Sequence, residues 1–343
     1  MPTIETLRLR QALPLEAKIA MTEKRILDWV REYGIDNVYI SWSGGKDSTV
    51  LLNIARNLFP NIQAVYVDTG LEYPEIKKFV HMDNHVVTLR PAMNFKEVIT
   101  KYGYPIISKE VSNTVYEVRN PNYKGTSKWE AINGLKVQKD GKKSPFNCEK
   151  YKPLLNVDFR ISDRCCRVMK KTPVKKFEHK SGKFAILGNM AEESRLRTQG
   201  WLQYGCNGFD RDRPISNPMS AWTEQDVYQY IYRYKIDIPS VYGDVIPVKK
   251  QLFNIDTAQC KLCTTGCRRT GCIYCGYGLH IEQGETRFQM LKRTHPKLYD
   301  YCIGGGAYDP DDGLWKPDKN GLGMEHVFNE LNKLYGDNFI RYK

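Results

Sequence analysis

The stretch VYISWSGGKDSTVLLNIARNLF, residues 38–59, decides the fold. A short apolar run rich in β-branched and aromatic residues meets a glycine pair, and an apolar pattern at helical spacing follows, so the stretch reads strand, loop, helix. Working outward, residues 62–67 read as a second strand that runs into DTGLEYPE (68–75), where Pro74 suits the first turn of a helix. Residues 85–90 read as a third strand, 94–101 as a further helix, and FAILGN (184–189) as a strand that rejoins the sheet. Upstream, Ile26, Leu27 and Val30 stand at helical spacing within 23–33. Strands alternating with helices predict an α/β fold built on a doubly wound, mainly parallel sheet.

The glycine pair carries a chemical implication. Diphosphates are bound by unhindered backbone N–H groups at a helix N-terminus, whose dipole favours anions. Gly44 and Gly45 remove the Cβ atoms that would block that approach, Lys46 and Asp47 open the helix, and Ser43 and Ser48 supply hydroxyls. The spacing is not that of the longer P-loop. Ligands of open α/β sheets lie beyond the carboxyl ends of the strands. Asp68, Thr69, Gly70 and Glu72 are therefore expected beside the loop, the acids holding magnesium or a ribose; the competing reading makes the acids of this segment caps of the following helix.

On this reading the chain has an N-terminal helical segment (1–36), a nucleotide-binding domain (37–215) and a smaller helical, cysteine-rich module (216–343). Residues 119–152 carry nine Lys/Arg against three acids, with prolines and glycines interspersed, and are expected to be a basic insertion loop. Helices are expected over 222–234, with Thr223 as N-cap, and over 285–293 and 324–334.

Composition narrows the partners. The 343 residues hold 52 Lys+Arg against 39 Asp+Glu, a formal charge of +13 that favours anionic partners. Hydrophobic content of 41% and charged content of 27% exclude wholesale disorder. No run approaches the ~20 apolar residues of a membrane helix, and the first residues lack a signal-peptide core. A cytoplasmic protein with no membrane partner is expected. In a reducing compartment clustered cysteines bind metal or carry redox chemistry, and five of the ten fall within 260–275.

The SGGKDS loop resembles the PP-loop of ATP pyrophosphatases. DTGLEYPE is similar to the PAPS reductase-like branch of that superfamily, which includes sulfonucleotide reductases, the small subunit of ATP sulfurylase and DNA phosphorothioation enzymes. Gly103-Tyr104-Pro105 with Ser108-Lys109, GNMAEESRLR (188–197) and WTEQDV (222–227) extend the resemblance over roughly residues 38–302. It implies an adenine nucleotide alpha hydrolase-like fold and ATP with magnesium as ligand. It also implies that Lys46 and Asp47 act at the reacting phosphates and that Arg197 clamps an anion. Met190 stands where the family pattern has its first arginine, so only Arg197, with Arg195 beside it, carries that clamp; an exposed charged turn is the competing reading. WTEQDV is read as scaffold.

Cys165-Cys166 with Cys272-x2-Cys275 resembles the CC…CxxC of iron–sulfur APS reductases, which implies a [4Fe–4S] cluster on four thiolates. Two other readings compete: Cys260-x2-Cys263-x8-Cys272-x2-Cys275 has ribbon-like spacing for zinc, or a cluster recruits Cys263 or Cys267. Cys148, Cys206 and Cys302 are expected to be unligated.

Two activities follow from the resemblance. One is an adenylating enzyme that releases pyrophosphate from ATP and transfers sulfur. The other is a reductase that takes sulfite from APS or PAPS through a cysteine adduct. The complete glycine loop favours the first, and Gly276-Tyr277-Gly278-Leu279-His280 has tyrosine where a reductase tail of the Cys-Gly-Leu-His type has its cysteine. Tyr123, Trp129 and Phe146 among the lysines of 119–152 suit a nucleic acid, DNA or tRNA, as acceptor; a solvated loop is the competing reading. A sulfur- or electron-donor protein is the other expected partner. A third class, a non-enzymatic nucleic-acid-binding protein stapled by zinc, leaves the glycine loop without a role.

Overall fold

A computed structural model describes residues 2–248 and 261–343. Contacts divide the chain into two units, the first comprising 1–68, 72–90 and 173–270 and the second 69–71, 91–172 and 271–343. The helix begun by WTEQDV groups with the sheet, and 91–172 groups with the C-terminal residues.

In the first unit a short helix over Ile4–Gln11 precedes α1 (Leu15–Tyr33), which is longer than the expected 23–33. Leu15, Lys18, Thr22, Ile26 and Trp29 form its buried stripe, at the spacing of one helical face. Strand β1 (Val38–Ser41) leads through the glycine loop into α2 (Lys46–Leu58). Strand β2 (Ala64–Val67), α3 (Pro74–His81, with proline in its first turn) and β3 (Val86–Leu89) follow. After residue 173 come β4 (Phe184–Leu187), α4 (Arg195–Tyr204), β5 (Asn207–Gly208), β6 (Ile215–Ser216) and α5 (Glu224–Tyr234).

The six strands lie in the order β3-β2-β1-β4-β6-β5. All pairs are parallel except β5 with β6 at the edge. The sheet is thus doubly wound as expected, with its order reversing between β1 and β4. That reversal is the crevice where such sheets bind ligands, and the glycine loop leaves β1 at it. Tyr39, Val65 and Ala185 form a buried cluster against which Val87, Leu89, Val174, Phe177 and Leu187 pack. The Tyr39 hydroxyl donates to Glu178 at 2.7 Å, and Glu178 accepts two bonds from Arg213 at 2.6 Å. Lys18, 2% exposed, pairs with Asp226 at 2.6 Å and so ties α1 to α5. Thr223 caps α5 in a reciprocal box with Asp226, as the sequence predicts.

The second unit is mostly helical, with helices Phe95–Tyr102, Lys109–Val118, Arg287–Thr294, Pro296–Ile303 and Met324–Tyr335. A short parallel pair joins Ile106–Ile107 to Gly276–Tyr277. Residues 119–152 are not the bare loop expected. Thr126 caps a helix, Ser127–Ile132, that buries Ala131 and Ile132, and Val137 bridges Lys143 across a turn. The cap and the apolar pair outweigh the local glycines and prolines. The alternating charge hid them. No helix among the described residues is long and apolar enough to cross a membrane.

Candidate functional site

The glycine loop is held open from below. Gly44 has φ +71°, and a Cβ there would stand 2.7 Å from Ile76 Cγ2 and Val80 Cγ2, so the α3 face admits only glycine. The Ser43 amide donates to Ser48 Oγ at 3.2 Å, and the Ser48 and Thr49 hydroxyls donate to the Gly45 carbonyl at 3.0 Å. These bonds fix the turn into α2. A Cβ on Gly188, at the end of β4, would stand 3.2 Å from the Asp47 carbonyl and from Ser48 Cα, so the GNM segment closes on the same helix start.

Lys46 is 2% exposed although charged. Its Nζ lies 3.2 Å from Asp47 Oδ1 and 3.5 Å from Glu224 Oε1, and 5.3 Å from the centre of the Tyr228 ring. Neither of those two buried oxygens has a hydrogen-bond partner. Glu224 is also bonded by Arg268 at 2.9 Å, and Arg269 lies 3.8 Å away. Burial would raise the Glu224 carboxyl. The Arg268 bond and the charges of Lys46, Arg268 and Arg269 outweigh that and hold it below its ordinary value. The Arg197 guanidinium is lowered first by burial and also by Arg269, while Asp47 opposes the shift; its side chain pairs with Glu193. Lys46 and Asp47 are thereby brought together with Glu224, while Arg197 keeps Glu193 as its ion-pair partner.

Asp68, at the end of β2, is buried and pairs with Lys77 at 2.8 Å and Arg90 at 3.9 Å. With Glu72 it raises the buried Tyr66 hydroxyl, after burial itself. Thr69 and Gly70 group with the second unit. There Thr69 Oγ1 accepts the Leu71 amide at 3.2 Å, and Gly70 has φ +72° with open space around its Cβ position.

Cys165, Cys166, Cys272 and Cys275 line one cavity of the second unit, walled by Leu71, Phe95, Pro105, Met169 and Lys170. The vicinal pair sits on a short helix that loosens to i→i+5 bonding over Arg167–Lys171, a feature common at functional sites. Cys166 is lowered, first by its bond from Cys165 and then by Lys109 and Lys170 against burial, while Cys165 is raised. Cys275 is pushed up to about 11, mainly by burial. The space among the four is about 20 Å³, one water's worth. Among the described residues no group of three or more His, Cys, Asp or Glu is arranged to hold a metal ion. Thiolate is the donor type that both iron–sulfur clusters and zinc take. Cys260 lies outside the described residues, and Cys263 and Cys267 belong to the first unit.

A model of the phosphoadenosine phosphosulfate reductase domain matches residues 37–277. The chain belongs to this family. Sulfate adenylyltransferase subunit 2 of Shewanella amazonensis is 25% identical over 242 residues, 68% of this chain and 70% of that protein. An uncharacterized Methanocaldococcus jannaschii protein is 24% identical over 284 residues, 80% of this chain but half of its own length. Adenosine 5'-phosphosulfate reductase of Geobacillus kaustophilus is 26% identical over 211 residues, 61% of this chain and 68% of that protein. The two relatives with functional names are enzymes, and this chain shares their family.

Sequence reading of this family member missed Glu224, taken as scaffold, and Tyr242, whose hydroxyl accepts the Lys46 amide at 3.2 Å. It also missed Arg268, Arg269 and Thr270 beside the loop, and Arg287 beside Cys275. The distance of Glu224, Tyr242 and residues 268–270 from the glycine loop in sequence left no signal of this contact. Arg164, next to the vicinal cysteines, covers the Tyr116 ring at 4.8 Å.

Proposed function

We propose that this protein is an adenylating sulfur-transfer enzyme that cleaves ATP to pyrophosphate. The observation that carries the reading is the complete glycine loop at the sheet's reversal point, with Lys46 buried beside Asp47 and Glu224. In this reading the Gly44, Gly45 and Lys46 amides and the Ser43 and Ser48 hydroxyls take the departing pyrophosphate. Lys46 and Arg197 offset its charge, Asp47 acts at the reacting phosphates, and Asp68 and Glu72 hold the magnesium of MgATP or its ribose. An acceptor oxygen attacks the α-phosphorus, the bond to the bridging oxygen breaks, and pyrophosphate leaves. A sulfur nucleophile from a donor protein then displaces AMP.

Cys165, Cys166, Cys272 and Cys275 would hold a [4Fe–4S] cluster in preference to zinc. Bound there, it supplies one-electron capacity in an apolar wall. Lys109, Lys170 and Arg287 stand where they offset thiolate charge. The acceptor is a nucleic acid that follows the basic surface of 119–152. Phe146 is 47% exposed there, with Lys136 over its ring at 5.6 Å, a combination suited to phosphate and base.

The test is pyrophosphate release from ATP, expected with wild-type protein and abolished by Asp47→Ala. Release of sulfite from APS or PAPS with a thiol reductant, and none of pyrophosphate, would replace this reading with the reductase. The Geobacillus relative favours that second reading. Against it, Tyr277 offers no thiol: its hydroxyl is half-buried, is raised by burial and by the neighbouring cysteines, and donates to the Ser162 carbonyl at 3.4 Å. Nucleic-acid binding is expected to weaken steeply with salt. Neutralising Lys139, Lys142 and Lys143 should flatten that salt dependence by about one unit of log–log slope per lysine.

A further inference from the structure

Residues Thr265–Thr270, between the cysteines in sequence, approach the glycine loop on a rigid backbone. The Thr265 amide donates to the Asp244 carbonyl at 2.9 Å, Gly266 to Tyr242 at 2.8 Å and Cys267 to Val241 at 2.9 Å. A Cβ on Gly266 would run into the Val241 carbonyl, so glycine permits the approach. On that support Thr270 Oγ1 lies 2.5 Å from Tyr242 Oη, the hydroxyl seated on the Lys46 amide, and 3.8 Å from the Cβ position of Gly45.

The two arginines before it converge on one carboxylate. Arg268 Nε donates to Glu224 Oε2 at 2.9 Å, and Arg269 Nε lies 3.8 Å from Oε1. Lys46 Nζ is 3.5 Å from that same Oε1. Glu224 is 7% exposed, and its Oε1 is buried with no hydrogen bond. The guanidiniums themselves are open to solvent, with side-chain exposures of 75% and 57%. A buried anion thus holds two solvent-facing guanidinium forks at the mouth of an amide-lined loop, and such forks match phosphate oxygens in pairs.

We propose that Arg268 and Arg269 are phosphate-binding residues that clasp the outer phosphates of a nucleoside triphosphate lying on the glycine loop. Glu224 is the positioning residue that keeps them aimed, and it shares them with the phosphates when the nucleotide binds. The inference rests on the ATP reading above and deepens it: the arm selects by the number of phosphates, so triphosphate is favoured over monophosphate.

The experiment is calorimetric titration of the full chain with MgATP and with AMP, for wild type, for Arg268→Ala/Arg269→Ala and for Arg268→Lys/Arg269→Lys. Wild type is expected to bind MgATP more tightly than AMP. The alanine pair should lose about ten-fold or more in MgATP affinity, the scale of losing charged hydrogen bonds, and leave AMP binding unchanged. The lysine pair, charged but without the forks, should fall between them. An alanine pair that binds MgATP as wild type does overturns the arm and leaves the ATP reading standing. A wild type that binds neither nucleotide overturns both. Equal losses for MgATP and AMP assign the arginines to the fold instead and also overturn the arm. Their exposure makes a folded double variant the expected product; because it strips two partners from Glu224, a lowered melting temperature with a retained cooperative transition checks that it is folded.

Discussion

The Tyr242 hydroxyl stands 3.2 Å from the amide nitrogen of Lys46, the first residue of the helix that leaves the glycine loop. An amide at a helix start has no partner within its own helix, and here a side chain from far along the chain supplies one. Burial pushes Tyr242 up to about 12, so it is neutral at physiological pH and can accept the amide proton. A phosphate oxygen taking that amide must displace it.

Tyr242→Phe removes that competitor. The ligand-free protein should lose about 2 kcal/mol of stability, the net worth of its two hydrogen bonds, to the Lys46 amide and to Thr270 Oγ1, while affinity for inorganic pyrophosphate rises several-fold. Urea melts and calorimetry measure the two halves. Unchanged pyrophosphate affinity would mean that the hydroxyl does not stand where a phosphate oxygen docks.

Gly44 and Gly70 share a positive φ but not their surroundings. A left-handed backbone costs a side chain about 1–2 kcal/mol, so Gly70→Ala should lose that and no more. Gly44→Ala adds the collision with Ile76 and Val80. Overpacking typically costs about 1–3 kcal/mol, so a loss of about 3 kcal/mol is expected, with nucleotide binding lost as α3 is pushed away. Equal losses at the two positions would show that the α3 contact does not constrain the loop.

Protein purified without oxygen should be brown and carry about four irons per chain. Cys165→Ser, Cys166→Ser, Cys272→Ser and Cys275→Ser should each lose iron. Cys206→Ser and Cys302→Ser should keep it, since Cys302 is fully buried against Met324, its sulfur 3.4 Å from the thioether. One zinc per colourless chain would reassign the cavity to a tetrahedral ion.

Acid should weaken the Glu224 cluster. The folded-state value of this carboxyl lies below its ordinary 4.5, so the native state binds its proton less readily than the unfolded chain. The resulting stability is fully present above the ordinary value and is lost as pH falls through the lower, folded one. Glu224→Gln should therefore narrow the stability difference between about pH 6 and about pH 3. Melts at the two values, compared with wild type, give the answer; an unchanged difference would exclude Glu224 as a source of the acid sensitivity.

The alternation of strand and helix, the glycine loop and the Thr223 cap were legible in the chain because each depends on neighbours within a turn or a strand. Local spacing determined the α/β class, the sheet's parallel sense and the position of Lys46 at a helix start. The vicinal and spaced cysteines were legible as a group, yet only folding set all four against one cavity. Tertiary structure alone decided that Glu224 serves the loop and that Tyr242 caps it. It alone placed Arg268 and Arg269 at its mouth. Those outcomes depend on segments some two hundred residues apart along the sequence. Burial and charge pairing between such segments leave no periodicity in the chain to read.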